Sequence, residues 1–107
     1  MVIPNTVSSL GQYAFYSCDS LKEITLSNTI VSIQDYTFFG CANLNNVDIP
    51  NSVTRIGKGA FSGCKSFTKI VIPENVTALL KESFGNCTSV TVLVVLSKTV
   101  ATSGYPF

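Results

Sequence analysis

Four cysteines (Cys18, Cys41, Cys64 and Cys87) and six carboxylates are the residues of this 107-residue chain best equipped for chemistry, and the sequence contains no histidine. Without histidine, the commonest general base and the usual nucleophilic triads are missing, as is the base that would activate a cysteine. Thiol chemistry then reduces to metal binding, disulfide formation or packing. A zinc site needs sulfurs converging on one point, typically from close Cys-x-x-Cys pairs. Here a uniform spacing of 23 lays the four sulfurs in a line. Stacked units about 4.8 Å apart bring successive Cα atoms within disulfide range. Equivalent residues nevertheless have parallel Cα–Cβ vectors, which suit the near-perpendicular disulfide torsion poorly. The spacing favours a ladder of buried free thiols behaving as small hydrophobes, with no metal and no cofactor.

The carboxylates are Asp19, Glu23, Asp35, Asp48, Glu74 and Glu82. Only Glu23 and Asp48 fall on one predicted face, where solvated charge is the expectation. No catalytic residue is assigned, and a non-enzymatic protein is expected. Gly57-Lys58-Gly59 lacks the spacing of a phosphate-binding loop.

Charged residues make up 12% of the chain and the net charge is +1. The typical charged fraction is about 25%, so this chain is poor in charge. No lysine or arginine adjoins another, which leaves no electrostatic footprint for nucleic acid. The longest apolar run, Val92 to Leu96, is a strand's length, far below the roughly 20 residues needed to span a bilayer. No membrane insertion of this segment is expected. Met1-Val2-Ile3-Pro4 lacks a basic n-region and an apolar h-region. The expectation is therefore a chain that is not secreted or one that is a piece of something longer.

The elements that must position these side chains follow from a repeat. In rows of 23, Cys18, Cys41, Cys64 and Cys87 form one column, and Phe15, Phe38, Phe61 and Phe84 form another. Five more apolar columns are Val7/Ile30/Val53/Val76, Leu10/Ile33/Ile56/Leu79, Leu21/Leu44/Phe67/Val90, Ile24/Val47/Ile70/Leu93 and Leu26/Ile49/Ile72/Val95. A fixed period in the 20–50 range marks a solenoid, whose units bury their apolar sides only against neighbours. The repeats run approximately over 5–27, 28–50, 51–73 and 74–96, and 97–107 is expected to be a C-terminal cap or tail.

Within each unit, Lys22–Leu26 and its counterparts 45–49, 68–72 and 91–95 alternate with period 2. The alternation predicts short parallel strands with Ile24 and Leu26 inward and Glu23 and Thr25 outward. Pro50 and Pro73 end strands, and Pro4 closes one whose start is missing. The Val53-x-x-Ile56-Gly57 segment suits a tight turn or an irregular extended stretch. Ala60–Cys64 suits a short helical turn, ended by a left-handed Gly40 or Gly63, with Asn86 able to do likewise and Ser17 less well.

The unit Ile49-Pro50-x-x-Val53-x-x-Ile56-Gly57-x-x-Ala60-Phe61-x-Gly63-Cys64-x-x-Phe67-x-x-Ile70-x-Ile72-Pro73 closely resembles the BspA-type leucine-rich repeat. That repeat occurs in surface proteins of host-associated bacteria and of parasitic protists such as trichomonads. The resemblance covers roughly residues 3 to 96. It implies a right-handed leucine-rich repeat solenoid with a short parallel β-sheet on the concave side and turns with short helical or 3-10 segments on the convex side. It also implies a cell-surface or secreted location and adhesion to host or extracellular-matrix proteins.

The exposed strand positions are the candidate protein-binding face: Glu23, Asn46, Lys69 and Val92 in one column, and Thr25, Asp48, Val71 and Val94 in the next. They change from polar to apolar along the stack. A partner would use the apolar end as a patch with a polar rim, while a degenerate fourth repeat would produce the same gradient. Tyr13, Tyr16, Tyr36 and Phe39 cluster on the return side, where packing between units is favoured over an exposed strip. Asn75-Val76-Thr77 and Asn86-Cys87-Thr88 match the glycosylation sequon. Tyr105, Pro106, Phe107 and Val100 are expected to fold back over the last turn, leaving the N-terminal edge open and homo-association through strand edges available. Against a binding module stands a structural spacer or self-associating fragment of a longer surface protein.

Overall fold

Each 23-residue unit makes one turn of the chain, because its two corners are fixed by local chemistry. At the first corner Pro4, Pro50 and Pro73 offer their carbonyls to the amides of Val7, Val53 and Val76 at 3.1–3.3 Å, and Ser27 does the same for Ile30. At the second, the carbonyls of Cys18, Cys41 and Cys64 accept from Leu21, Leu44 and Phe67 at 3.1–3.2 Å. The computed structural model describes residues 1–98 and 101–107.

Seven short strands result: β1 (Ser9–Leu10), β2 (Ser32–Ile33), β3 (Arg55–Ile56), β4 (Lys69–Ile72), β5 (Ala78–Leu80), β6 (Val92–Val95) and β7 (Ala101–Ser103). They form a five-stranded parallel sheet, β1-β2-β3-β5-β7, and a two-stranded parallel sheet, β4-β6. Every pairing steps one repeat: Ser9 faces Ser32, Ser32 faces Arg55, Arg55 faces Ala78 and Ala78 faces Ala101. The longer ladder therefore lies on the return path, where a turn or irregular stretch was expected.

On the predicted strand face, only the third and fourth units form regular strands. Thr25 makes an isolated bridge to Val2, and no strand forms over 45–49. Between the second and third units Asn46 contributes. Its Oδ1 accepts from the amides of Thr68 (2.9 Å) and Lys69 (3.4 Å), taking donors that a ladder carbonyl would otherwise use. Where β-branched residues fill the segment, as in Ile70-Val71-Ile72 and Val92–Val95, the strand is regular.

The anticipated helical segments are absent among the described residues. Instead, amides on the Ala60–Cys64 side alternate between two kinds of acceptor. Ala60, Ser62 and Cys64 bond three residues back within their own turn, whereas Phe61 and Gly63 donate to Ser83 and Gly85 of the next turn. Two of the segment's five amide donors thus cross between turns, so a helical ladder cannot form. Left-handed residues recur at Ser17, Gly40, Gly63 and Asn86 (φ 52–77°), as the repeat predicted. A second such column, Tyr13, Tyr36, Gly59 and Glu82 (φ 57–62°), has only one glycine to announce it.

The core is a stack of phenylalanines. Phe15, Phe38, Phe61 and Phe84 lie with centroids 5.1–5.2 Å apart and planes within 10°. Phe107 adds a fifth ring 5.8 Å from Phe84. The tail lies on the last turn by continuing the repeat: β7 pairs with β5 in register and Phe107 stacks on Phe84. Val100 lies outside the described residues.

Candidate functional site

Outward side chains of the β4-β6 face gather in register. Lys69 pairs with Val92, and Val71 with Val94. Glu23, Thr25, Asn46 and Asp48 line a shallow groove of about 330 Å³ in the first two units, floored by Ile24 and Leu26. Glu23, Thr25, Asn46, Asp48, Lys69 and Val92 are exposed, while Val71 and Val94 are half-buried. The array is thus acidic and polar at the N-terminal end, with an apolar contribution at the other resting mainly on Val92, 44% exposed.

Asn46 is not free to act as a simple contact residue. Besides the two backbone amides, it donates from Nδ2 to Thr68 Oγ1 at 3.1 Å. Its side chain holds the entry of β4, a role the alternation pattern does not reveal. Among the described residues, no hydrogen bond or ion pair engages the side chains of Glu23, Asp48 or Lys69. Among the described residues, Arg55 of β3 pairs with Asp35, just past β2, at 3.7 Å.

The thiols form a ladder. Cys41, Cys64 and Cys87 donate from Sγ to the carbonyls of Phe15, Phe38 and Phe61 at 3.1–3.4 Å, each reaching back one turn. All four cysteines are free; Cys41 and Cys64 are buried, and Cys18 and Cys87 half-buried. Burial pushes Cys87 up to about 11 and raises Cys41 and Cys64 as well. Such thiols are poor nucleophiles, because the thiolate is the reactive form. No group of three or more His, Cys, Asp or Glu side chains converges as for a metal among the described residues.

Tyr13 stacks on Tyr36 (5.3 Å) and Tyr16 on Phe39 (5.2 Å), so these rings pack between units. Tyr13 and Tyr16, in the first turn, remain about half exposed. Of the sequon residues, Asn75 donates from Nδ2 to Asn51 O at 2.7 Å, and Asn86 is an exposed left-handed corner.

Sequence reasoning missed one surface. Leu93 (48% exposed), Val95 (51%) and Leu96 (53%) lie open where further packing is lacking among the described residues. Beside them is an apolar cleft of about 280 Å³ lined by Phe84, Cys87, Val90, Leu93 and Phe107 among others. The signal was available, since Leu93 and Val95 occupy inward columns of the last complete unit.

The family model for the BspA type leucine rich repeat region matches residues 1–107 in six copies. No curated protein sequence matches. A leucine-rich repeat protein from Bacteroides ovatus superposes with a TM-score of 0.83 at 36% identity, over 87% of this chain and 24% of that one. A leucine rich cell surface protein from Faecalibacterium prausnitzii gives 0.74 at 25% identity, over 89% and 31%. The pneumococcal vaccine antigen PcpA shares the fold, with a TM-score of 0.70 at 19% identity over 92% and 30%. The chain thus spans a quarter to a third of the length of these solved structures.

Proposed function

We propose, from the premise that this chain belongs to the BspA-type leucine-rich repeat family, that it is a non-catalytic protein-binding module of a surface or secreted adhesin. It engages host or extracellular-matrix protein through the β4-β6 face. The observation that carries this is the set of exposed side chains aligned on one face. Glu23, Asp48 and Lys69 have no side-chain partner among the described residues, and Val92 stands 44% exposed beside them. Desolvating aligned polar and apolar groups together is the usual anatomy of a protein interface. The partner is a protein surface presenting a basic group to Glu23 and Asp48 and an apolar group to Val92.

A surface or secreted location is supported by the F. prausnitzii relative, which is a cell surface protein. The test is binding of the chain to a panel of immobilised extracellular-matrix proteins, with E23K/D48K and V92S compared to wild type. All three positions are exposed, so the fold should survive, and circular dichroism checks that it does. An E74K variant at an exposed corner serves as control. Loss of binding in E23K/D48K and V92S with retention in E74K is expected. Unchanged binding in the folded variants overturns the assignment of the face, and no binding by wild type to any matrix protein overturns the adhesin function.

A further inference from the structure

The parallel ladder of the candidate face lapses between the first and second units. Between the third and fourth, Thr91 N and Val92 N donate to Thr68 O and Leu96 N to Ile72 O at 2.8–3.2 Å, and β4-β6 fills the register between them. Moved back two repeats, the same scheme asks for Asn45 N and Asn46 N on Lys22 O, Asp48 N on Ile24 O, and Leu26 N on Asp48 O. The first of these bonds forms, at 2.8 Å. The others do not, and Pro50, in the place of Leu96, has no N–H to give. Among the described residues, Ile24 O, Leu26 N and both backbone groups of Asp48 therefore have no hydrogen-bond partner.

These free groups belong to residues that line the groove of about 330 Å³ between the two turns. Its lining carries two carboxylates, Glu23 and Asp48, and no basic side chain. Glu23 stands in the row shared with Asn46, and Asp48 in the row shared with Thr25, two residues further along the strand direction. Rows two residues apart on one face of a strand are separated by about 6.6 Å. The floor between them is apolar, made by the buried Ile24 and Leu26. Asn46 is held by Thr68 and Lys69, so that wall of the groove is fixed.

We infer that this gap takes an extended segment of the partner with the pattern basic-apolar-basic, added as a strand between the first and second turns. The inference rests on the reading of this face as the protein-binding surface and names what the partner brings to it. A strand in the gap supplies both missing kinds of backbone partner: its N–H donates to Ile24 O and its C=O accepts from Leu26 N, as the backbone of Asp48 would in a regular ladder. Its alternation sends the two basic side chains outward, one beside Glu23 and one beside Asp48, and the middle side chain inward onto Ile24 and Leu26. The pattern reads the same from either end, so the two charge contacts are available to a strand of either direction. Backbone pairing gives the affinity, and the two carboxylates give the selection for basic residues.

The probe is the peptide acetyl-Thr-Arg-Val-Arg-Thr-amide, titrated into the 107-residue chain and followed by amide NMR shifts. Three comparisons isolate the parts: the rearranged acetyl-Thr-Val-Arg-Arg-Thr-amide, whose arginines point to opposite faces; the first peptide N-methylated at its second arginine; and the E23Q/D48N variant, with E74Q as control. The first peptide should bind wild type and E74Q alike and shift the amides of Leu26 and Asp48 most. Each of the other three combinations should bind at least about tenfold more weakly. N-methylation alters the peptide alone, so its effect is independent of how the variant folds. No binding of the first peptide, or equal binding of the rearranged or N-methylated one, overturns the inference. If the peptide fails while matrix-protein binding is still lost in E23K/D48K, the strand-addition mode falls and the binding face stands. Peptide binding without binding of any matrix protein upholds the groove and removes the adhesin function.

Discussion

Gly57→Ala should be among the most damaging single-methyl changes in this protein, and the same change at Gly11, two repeats earlier in the same column, should be harmless. A Cβ on Gly57 would stand 2.5 Å from Asp35 Oδ1 and 2.6 Å from both Asp35 N and Gln34 C, against 3.4–4 Å for ordinary contact. Two of those atoms are backbone of the preceding turn, so relief requires the second and third turns to part by about 0.8 Å. Gly57 N to Ile33 O and Lys58 N to Asp35 Oδ1, both 2.8 Å, cross that gap and would pass beyond hydrogen-bonding length. Losing two hydrogen bonds at about 1 kcal/mol each, with overpacking of about 1–3 kcal/mol, gives about 3–5 kcal/mol. For a urea dependence of roughly 1–3 kcal/mol per molar, the midpoint should fall by about 2 M. A Cβ on Gly11 meets nothing within 4 Å. Gly11→Ala should leave the midpoint unchanged or raise it slightly, by up to about 1 kcal/mol through the unfolded state. Equal shifts in the two variants, or no shift in Gly57→Ala, would refute turn-on-turn packing as the source of stability.

Three further outcomes follow from individual residues. Ser83 is fully buried, and its Oγ has no hydrogen-bond partner among the described residues, whereas Ala14 and Ala60 hold the same column. Ser83→Ala should therefore stabilise by about 1 kcal/mol in urea unfolding, and destabilisation would contradict an unsatisfied hydroxyl. Ser17 is left-handed (φ 52°) where Gly40 and Gly63 occupy the column. Ser17→Gly should raise the thermal midpoint, by about 1 kcal/mol of relieved strain; a lower midpoint would count against strain there. Cys87 holds its proton up to about 11 when folded, against 9.0 ordinarily. Unfolding therefore releases a proton above pH 9.0, so stability is level below that pH and falls as the pH climbs toward 11. After screening, the loss for this half-buried group is about 1–2 kcal/mol, read as a declining urea midpoint whose slope is reduced in Cys87→Ala, the remainder coming from Cys41 and Cys64, which burial raises as well. A flat wild-type profile would contradict the burial effect.

The period was legible because Cys, Phe and the aliphatic columns are inward and must match from turn to turn. The long β1-β2-β3-β5-β7 ladder was not, since its strands are two or three residues each, too short for an alternation to register. Strand alternation over 45–49 was misleading, and on the side of the third unit one side chain, Asn46, competes for the next turn's amides. Phe107 extends the phenylalanine column, yet the row it ends departs from the other columns, with Thr102 where Leu79 and Ile56 stand. Left-handed backbone at Tyr13, Tyr36 and Glu82 is imposed by hydrogen bonds to the following turn. Nothing in those residue types signals it. For the candidate face, outward direction was readable from the period, but the half-burial of Val71 and Val94 and the commitment of Asn46 depend on neighbours that only the fold supplies.

The claim that the β4-β6 face is the binding surface is tested most directly by amide hydrogen exchange of the chain, alone and bound to a matrix protein from the panel. Protection should concentrate at 23–25, 46–48, 69–71 and 92–94, with the β1-β2-β3-β5 ladder exchanging as in the free chain. Protection centred on Ser9, Ser32, Arg55 and Ala78 instead would contradict it.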